Sequence, residues 1–384
     1  MANKITTPGT IFLGENALLE AEGTLCSLGK KAFIVTGKSM IKQGNVEVLT
    51  QLLKKNDVDS FVCSNITGEP TDIMINEGVE LYKTEMCDFI IGFGGGSPID
   101  AAKAIGVMAV SEGKISDYNG KFITKAIPPL VAIPSTSGTG SEVTQFTIIS
   151  DTEKNIKMLL KGTPLLPTVA IVDPVFTMLT PPNVTAATGL DALTHAVESF
   201  TSKKAFSISD LYALSAVKRI FQYLPIAYKD GSNVKAREEM SIAALEAGIS
   251  FNNSSVTIVH GMSRPIGAIF HVPHGISNAM LLGECLSFAL DGAYEKFAQL
   301  GRAIGVANLD YSNENAAKEF LNAIQEICRV CEVPTLEGYG IDKAEFFNVI
   351  YKMSKDAYDS GSPLNTRKPV TIEDIKLIYE KLWK

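Results

Sequence analysis

Several residue types and patterns are scarce in this chain, and each scarcity excludes a class of protein. Histidine occurs only four times and tryptophan once in 384 residues, and the six cysteines are scattered. Scattered cysteines argue against a disulfide scaffold in a chain of this size. No apolar run approaches the roughly 18 residues that a membrane helix needs, and the first residues contain no apolar signal core. The sequence therefore predicts a cytoplasmic globular protein that has no membrane partner.

Positive charge is also sparse. The net charge is −7, and no dense Lys/Arg tract is present, so a nucleic acid is not expected as a partner. Cys328 and Cys331 form a C-x-x-C pair, but no second pair exists to complete a zinc site. We expect both cysteines to pack near the end of a helix.

The order of apolar runs predicts two domains of different architecture. Residues 1–183 alternate short buried strands with helices, which indicates a parallel sheet covered on both faces. The predicted strands are Thr10–Gly14, Lys31–Gly37, Ser60–Ser64, Asp88–Phe93, Leu130–Pro134 and Val169–Asp173. Residues 184–384 have mostly helical periodicity. The predicted helices there are Ala192–Thr201, Ser207–Leu224, Val234–Ser250, Tyr294–Ile304, Asn315–Val330, Lys343–Ser354 and Ile372–Leu382. We expect a cleft between the domains.

All four histidines fall within the stretch from residue 183 to residue 280. Asp191 and His195 are four residues apart, so on a helix both project from one face. His260 and His274 flank three residues that we expect to interrupt a helix: Pro265, Gly267 and Pro273. The two histidines can therefore lie on different elements and converge. A carboxylate and three imidazoles suit a divalent transition metal, although histidines satisfied in the core remain an equal alternative.

Two polar loops follow predicted strands in the first domain. Gly94, Gly95, Gly96 and Ser97 connect a strand to a helix, and Asp100 lies in the first helical turn. Such a glycine-rich turn lets backbone N–H groups approach a phosphate, although a turn without a ligand is also compatible. The second loop, residues 134–144, is rich in hydroxyl groups. At the carboxyl end of a parallel sheet it could hold phosphate and ribose oxygens.

Taken in order, these segments resemble the iron-containing (group III) alcohol dehydrogenase family. The matching blocks are residues 94–103, 135–142, 189–198, 260–262 and 273–279, and the resemblance extends over essentially the whole chain. It implies a dinucleotide-binding α/β domain at residues 1–183 and an all-helical metal and catalytic domain at residues 184–384, a dehydroquinate-synthase-like arrangement. It also implies a homodimer or larger homo-oligomer.

The resemblance further implies functional residues. The implied metal ligands are Asp191, His195, His260 and His274, with Fe²⁺ as the metal and Zn²⁺ or Mn²⁺ as alternatives that the ligand set would accept. The implied cofactor-binding residues are Gly94, Gly95, Gly96, Ser97, Asp100, Ser135, Thr136, Thr144 and Lys157. We also expect Phe146 and Phe251 to line a substrate pocket that favours a small primary alcohol or aldehyde.

Two positions depart from the family's pattern near the third block. Many members have a histidine where this chain has Arg264, so a proton relay at that position is in doubt. Arg264 could instead hold a carboxylate or sulfonate on the substrate. His271 could take over proton transfer or could simply pack. Both residues are therefore candidate catalytic residues.

A further departure concerns the nucleotide. Strict NAD users in the family carry an aspartate where this chain has Gly37, followed by Lys38 and Ser39. Without that carboxylate, NADP(H) is as compatible as NAD(H), although Gly37 could merely serve a turn. The predicted function is metal-dependent hydride transfer between NAD(P)(H) and a small alcohol or aldehyde. The alternatives are a dehydroquinate-synthase-like lyase, a glycerol-dehydrogenase-like zinc enzyme, and a nucleotide- or metal-binding protein without turnover.

Overall fold

The chain folds into two units of different architecture, one of residues 5–180 and the other mainly of residues 181–383. The computed structural model describes residues 2–154 and 156–383. Met1, the first residue of the first predicted domain, and Lys384, the last residue of the second, lie outside the described residues.

The first unit contains a six-stranded sheet and a separate two-stranded ribbon. In chain order the strands are β1 (Thr10–Leu13), β2 (Lys31–Thr36), β3 (Asp59–Cys63), β4 (Phe89–Gly94), β5 (Leu130–Pro134), β6 (Phe146–Asp151), β7 (Ile156–Lys161) and β8 (Val169–Val172). The large sheet has the order β1-β8-β5-β4-β2-β3. All of its neighbouring strands pair in parallel, which confirms the predicted parallel sheet.

Apolar side chains on alternate positions of β2 pack on opposite faces of this sheet. Phe33 and Val35 belong to one buried cluster, whereas Ala32 and Ile34 belong to another. This alternation follows from the two-residue period of a strand. Both faces are therefore covered, and the helices of the unit cover them: α1 (Ala17–Glu20), α2 (Glu22–Cys26), α3 (Lys38–Lys42), α4 (Asn45–Lys55), α5 (Asp72–Thr84) and α6 (Gly96–Val110).

The antiparallel ribbon of β6 and β7 was not predicted from the sequence. It is attached to α6 through Asp100, whose backbone oxygen accepts a hydrogen bond from Thr147 Oγ1 at 2.8 Å. The Asp100 carboxylate also accepts one from the Ile148 N–H at 3.0 Å. The ribbon thus depends on a helix that lies some forty residues earlier in the chain, and no local pattern signals that attachment.

The second unit is helical, as predicted. Its helices are α7 (Pro182–Thr201), α8 (Ser207–Lys229), α9 (Val234–Ser254), α10 (Ile258–Phe270), α11 (His274–Ala289), α12 (Tyr294–Ala303), α13 (Asn313–Val330), α14 (Leu336–Tyr339), α15 (Lys343–Asp359) and α16 (Ile372–Lys381). One large apolar cluster fills its interior, including Leu193, Phe320 and Tyr379. Cys331 ends α13 and Cys328 lies in its last turn, which confirms their expected place near a helix end.

The expectation that Pro265 and Gly267 interrupt a helix is wrong, because both lie inside α10. A proline removes one backbone hydrogen bond, and the full burial of Met262 and Ile266 on the same helix offsets that loss. The chain breaks instead around Pro273, which immediately precedes α11. Within the described part of the chain, no helix is both long and apolar enough to cross a membrane.

Candidate metal centre and dinucleotide site

Helix α7 carries three buried polar residues on one face. Asp191, His195 and Glu198 follow one another at spacings of four and three residues, so their side chains line one stripe of the helix. All three are almost completely inaccessible to solvent. Buried polar groups persist where they are satisfied or bind a ligand, so this stripe is the candidate functional site of the helical unit.

The other two predicted ligands come from the next helix pair. His260 lies in the first turn of α10 and His274 is the first residue of α11. The Nε2 atoms of His260 and His274 lie 3.6 and 3.8 Å from Asp191 Oδ1. The imidazole ring of His195 stacks on that of His260, with ring centroids 4.4 Å apart. The structure thus brings together all four residues that the family resemblance implied as ligands.

The donor set fits a single divalent cation. Ligand atoms of Asp191, His195 and His260 lie within 4.8 Å of one another. Two atoms bound to one cation at about 2.1 Å are about 3.4–3.6 Å apart at tetrahedral to trigonal angles, close to the separations from Asp191 Oδ1. Among the residues that the structure describes, buried His195 Nδ1 lacks a hydrogen-bond partner.

Electrostatics keep the donors available. Burial opposes ionisation of the Asp191 carboxyl, but the neighbouring histidines outweigh it and lower its pKa. Burial, the largest influence, lowers the pKa of His195 to about 3. At neutral pH Asp191 and His195 therefore offer a carboxylate and a neutral imidazole, which are the protonation states that bind a metal. Burial acts to lower the pKa of His260, but the Glu198 and Asp191 carboxylates outweigh it and raise that pKa, so a bound cation must compete with a proton for this imidazole.

Two further residues of this site were missed in the sequence analysis. Glu198 accepts a hydrogen bond from His260 Nδ1 at 2.6 Å. Asn278 Nδ2 lies 2.7 Å from Asp191 Oδ1 and 3.2 Å from the Nε2 atoms of His260 and His274. Each could have been found from helical spacing, because Glu198 follows Asp191 by two turns and Asn278 follows His274 by one.

Arg264, Phe251 and His271, the predicted catalytic and pocket residues of the helical unit, differ in their contacts and exposure. Arg264 lies one turn after His260 on α10, and its Nη1 donates to Ser362 Oγ at 3.1 Å. Phe251 stacks on His195, with ring centroids 4.1 Å apart. His271 ends α10 with a left-handed backbone conformation and an exposed side chain. Its role in proton transfer stays a prediction.

The two loops predicted to bind the dinucleotide lie against each other in the first unit. Ser135 N donates to Gly94 O at 2.8 Å, and a Cβ on Gly95 would lie 3.7 Å from two side-chain atoms of Thr136. Gly94 has a φ of +149°, which only glycine adopts readily. Ser97 lies in the first turn of α6, which begins at Gly96. The N–H groups of that turn suit a phosphate.

Other predicted cofactor residues have partners inside the protein. Thr144 accepts a hydrogen bond from buried Lys103, and Lys157 forms an ion pair with Glu69 at 2.7 Å. Asp100 bonds to the ribbon, as described above. Phe146 begins β6, with the Lys161 ammonium over its ring. The remaining predicted residues follow β2: Gly37 precedes α3, and Lys38 and Ser39 are its first residues.

Comparisons with known proteins agree with these features. Residues 8–174 match the iron-containing alcohol dehydrogenase family, and residues 185–383 match the C-terminal domain of that family. The chain is 36% identical to a 1,3-propanediol dehydrogenase of Citrobacter freundii over 93% of both chains. A solved structure of a 1,3-propanediol oxidoreductase superposes with a TM-score of 0.95 at 33% identity, covering 100% of both chains.

A sulfoacetaldehyde reductase of Bifidobacterium kashiwanohense, solved with NAD⁺, superposes with a TM-score of 0.87 at 27% identity. The match covers 100% of this chain and 99% of that one. The resemblance, the fold class, the enzymatic nature of the chain and the need for a nicotinamide dinucleotide and a divalent metal are thereby confirmed. The chain belongs to the iron-containing alcohol dehydrogenase family, whose members are oxidoreductases acting on alcohols and aldehydes.

Proposed function

We propose that this enzyme interconverts a small primary alcohol and its aldehyde with NAD(H) or NADP(H), and that Asp191, His195, His260 and His274 hold the metal. The observation that carries the proposal is the convergence of His260 and His274 on Asp191 Oδ1 at 3.6 and 3.8 Å. When bound there, a divalent cation supplies Lewis-acid chemistry, which lowers the pKa of an alcohol and polarises a carbonyl.

Residues of the chain supply binding and orientation. Phe251 covers one face of the His195 ring and contributes apolar surface that favours a small carbon chain. The backbone N–H groups of the Gly94–Ser97 turn bind the pyrophosphate. Gly37, Lys38 and Ser39 leave the ribose 2′ position free of a carboxylate, so we keep NAD(H) and NADP(H) as equal candidates. A homo-oligomer and a cytoplasmic location belong to the same proposal.

We further propose that the preferred aldehyde carries a sulfonate or carboxylate, which Arg264 holds. Burial lowers the pKa of the Arg264 guanidinium, and no carboxylate pairs with it among the described residues, where Ser362 is its hydrogen-bond partner. Arg264 is partly buried, and the Glu198 carboxylate offsets only part of the effect of burial on its pKa. Partial burial of a cation without an ion-pair partner is costly, and a substrate anion would offset that cost. The sulfoacetaldehyde reductase among the structural relatives acts on a substrate of this chemical class.

Replacing Arg264 with alanine tests this assignment. Loss of charged hydrogen bonds worth about 1.5–3 kcal/mol should lower kcat/KM for sulfoacetaldehyde by about 10- to 150-fold. The value for propanal should change by less than about 3-fold. Arg329→Ala is the matched control, because Arg329 is exposed on α13 and pairs with Glu326. Equal losses for both aldehydes in Arg264→Ala would contradict anion recognition.

A substrate panel distinguishes the proposed reaction from its rivals. Iron-loaded protein prepared without oxygen should oxidise NADH or NADPH in proportion to the aldehyde supplied. A dehydroquinate-synthase-like lyase would release product without net consumption of the dinucleotide, and a binding protein would show no turnover. A glycerol-dehydrogenase-like enzyme would prefer zinc to iron.

A further inference from the structure

The carboxylate of Glu198 has three hydrogen-bond donors around it. Oε1 accepts from Thr257 Oγ1 at 2.7 Å and from the Val259 N–H at 2.6 Å. Oε2 accepts from His260 Nδ1 at 2.6 Å. Glu198 is fully buried, so water cannot replace these partners. A buried carboxylate held by three donors has a fixed position and orientation.

The same carboxylate fixes the start of α10. Thr257 immediately precedes this helix and Val259 is its second residue, so Glu198 satisfies one of the N–H groups that a helix N-terminus leaves without a partner. Because His260 follows directly, the backbone that carries this imidazole is held by the group that binds its ring. The position and the rotation of the His260 ring are therefore set together.

The contact at Nδ1 also decides which nitrogen of the His260 ring can bind a cation. An ionised carboxylate can only accept a hydrogen bond, so His260 Nδ1 must carry a proton. In the neutral imidazole, Nε2 is then unprotonated and its lone pair can bind a cation, although Asn278 Nδ2 lies 3.2 Å from it in this structure. This Nε2 atom is the one that lies 3.6 Å from Asp191 Oδ1.

We propose that Glu198 is a positioning residue for the metal: it holds His260 in the Nδ1–H tautomer and directs the Nε2 lone pair at the cation. This inference rests on the proposed metal centre. Glu198 is not one of the proposed ligands, and it acts on the metal site through its hydrogen bond to His260. Groups that orient a ligating histidine in this manner typically change metal affinity by 10- to 100-fold when they are replaced.

Glu198→Gln is the test. With its carbonyl oxygen kept on Thr257 and Val259, the glutamine presents an NH₂ donor to His260 Nδ1. His260 Nδ1 must then accept a hydrogen bond and can carry no proton. The proton of the neutral imidazole moves to Nε2, where it blocks metal binding. We expect the dissociation constant for Co²⁺, measured by chelator competition on the full chain, to rise by 10- to 100-fold.

Thr257→Val is the matched control. It removes one hydrogen bond to the same carboxylate but leaves that carboxylate as the acceptor for His260 Nδ1–H. The dissociation constant for Co²⁺ should therefore rise by less than about 3-fold. Circular dichroism verifies that each variant is folded. If Glu198→Gln binds Co²⁺ as the unsubstituted enzyme does, or if Thr257→Val loses as much affinity, the inference is wrong. Failure of the unsubstituted enzyme to bind one Co²⁺ per chain would instead reject the proposed metal centre.

Histidine labelled with ¹⁵N gives a second readout that needs no variant at position 198. The chain has only four histidines, and a His260→Ala sample assigns the signal of His260. In the zinc-loaded enzyme the Nδ1 of His260 should carry a proton. An unprotonated Nδ1 there would overturn the proposal even if Glu198→Gln did not fold.

Discussion

Replacing Glu142 with glutamine should stabilise the first unit at alkaline pH and much less at acidic pH. Glu142 is 2% exposed, and burial raises the pKa of its carboxyl from 4.5 to about 7 despite the attraction of Lys103. Folding therefore disfavours the ionised form. The stability that this carboxyl contributes is fully present below pH 4.5 and is lost as the pH rises through about 7.

The size of the effect follows from the same pKa values. At about 1.4 kcal/mol for each pH unit, the raised pKa of Glu142 lowers the stability of the folded state by about 1 kcal/mol at pH 5, where folding must protonate the carboxyl, and by about 3 kcal/mol at pH 8. Glutamine avoids this cost at every pH. For a unit of this size, about 3 kcal/mol corresponds to about 6–12 °C in Tm.

Thermal unfolding followed by circular dichroism at pH 5 and pH 8 measures the difference. Glu153→Gln is the matched control, because Glu153 is exposed and its replacement should leave Tm nearly unchanged. Should Glu142→Gln lower Tm at pH 8, the attraction between Glu142 and the Lys103 ammonium would outweigh the cost of burial. The electrostatic reasoning applied to this unit would then be refuted.

Two further changes test the dinucleotide site. Gly37→Asp places a carboxylate where it repels a 2′-phosphate, so KM for NADPH should rise at least about tenfold more than KM for NADH. Gly37→Ala controls for the 3.3 Å approach of a new Cβ to Ile66 O, and an equal change for both cofactors would place the ribose elsewhere. Gly94→Ala forces a side chain into a φ of +149° and to within 2.8 Å of Pro98. It should cost about 1–3 kcal/mol of stability and weaken NADH binding in a fluorescence titration, whereas unaltered affinity would argue that the turn does not contact the cofactor.

Local sequence patterns were sufficient where an element depends on its own residues. Helix α5 (Asp72–Thr84) is an element of this kind, because Thr71 caps its N-terminus by accepting from Met74 N and apolar residues recur at helical spacing. The strands of the parallel sheet were recognisable for a similar reason. A short run such as Lys31–Thr36 is apolar on both faces and suits only a covered central strand.

Features that depend on distant partners could not be predicted. The ribbon of β6 and β7 requires Asp100 of α6, and α10 continues through Pro265 because its residues are buried against other helices. In the candidate site, the spacing of Asp191 and His195 predicted one helix face. Spacing also places Asn278 one turn after His274, but it could not show that Asn278 Nδ2 would lie against Asp191 and His260 on two other helices. Such contacts join elements that are far apart in the sequence.

The number of iron ions bound per chain, with and without His260, tests the central claim most directly. Protein loaded with Fe²⁺ without oxygen and then desalted should retain one iron per chain by elemental analysis. His260→Ala, verified as folded by circular dichroism, should retain almost none and should not turn over. Retention of one tightly bound iron by His260→Ala would contradict the assignment of Asp191, His195, His260 and His274 as a single metal centre.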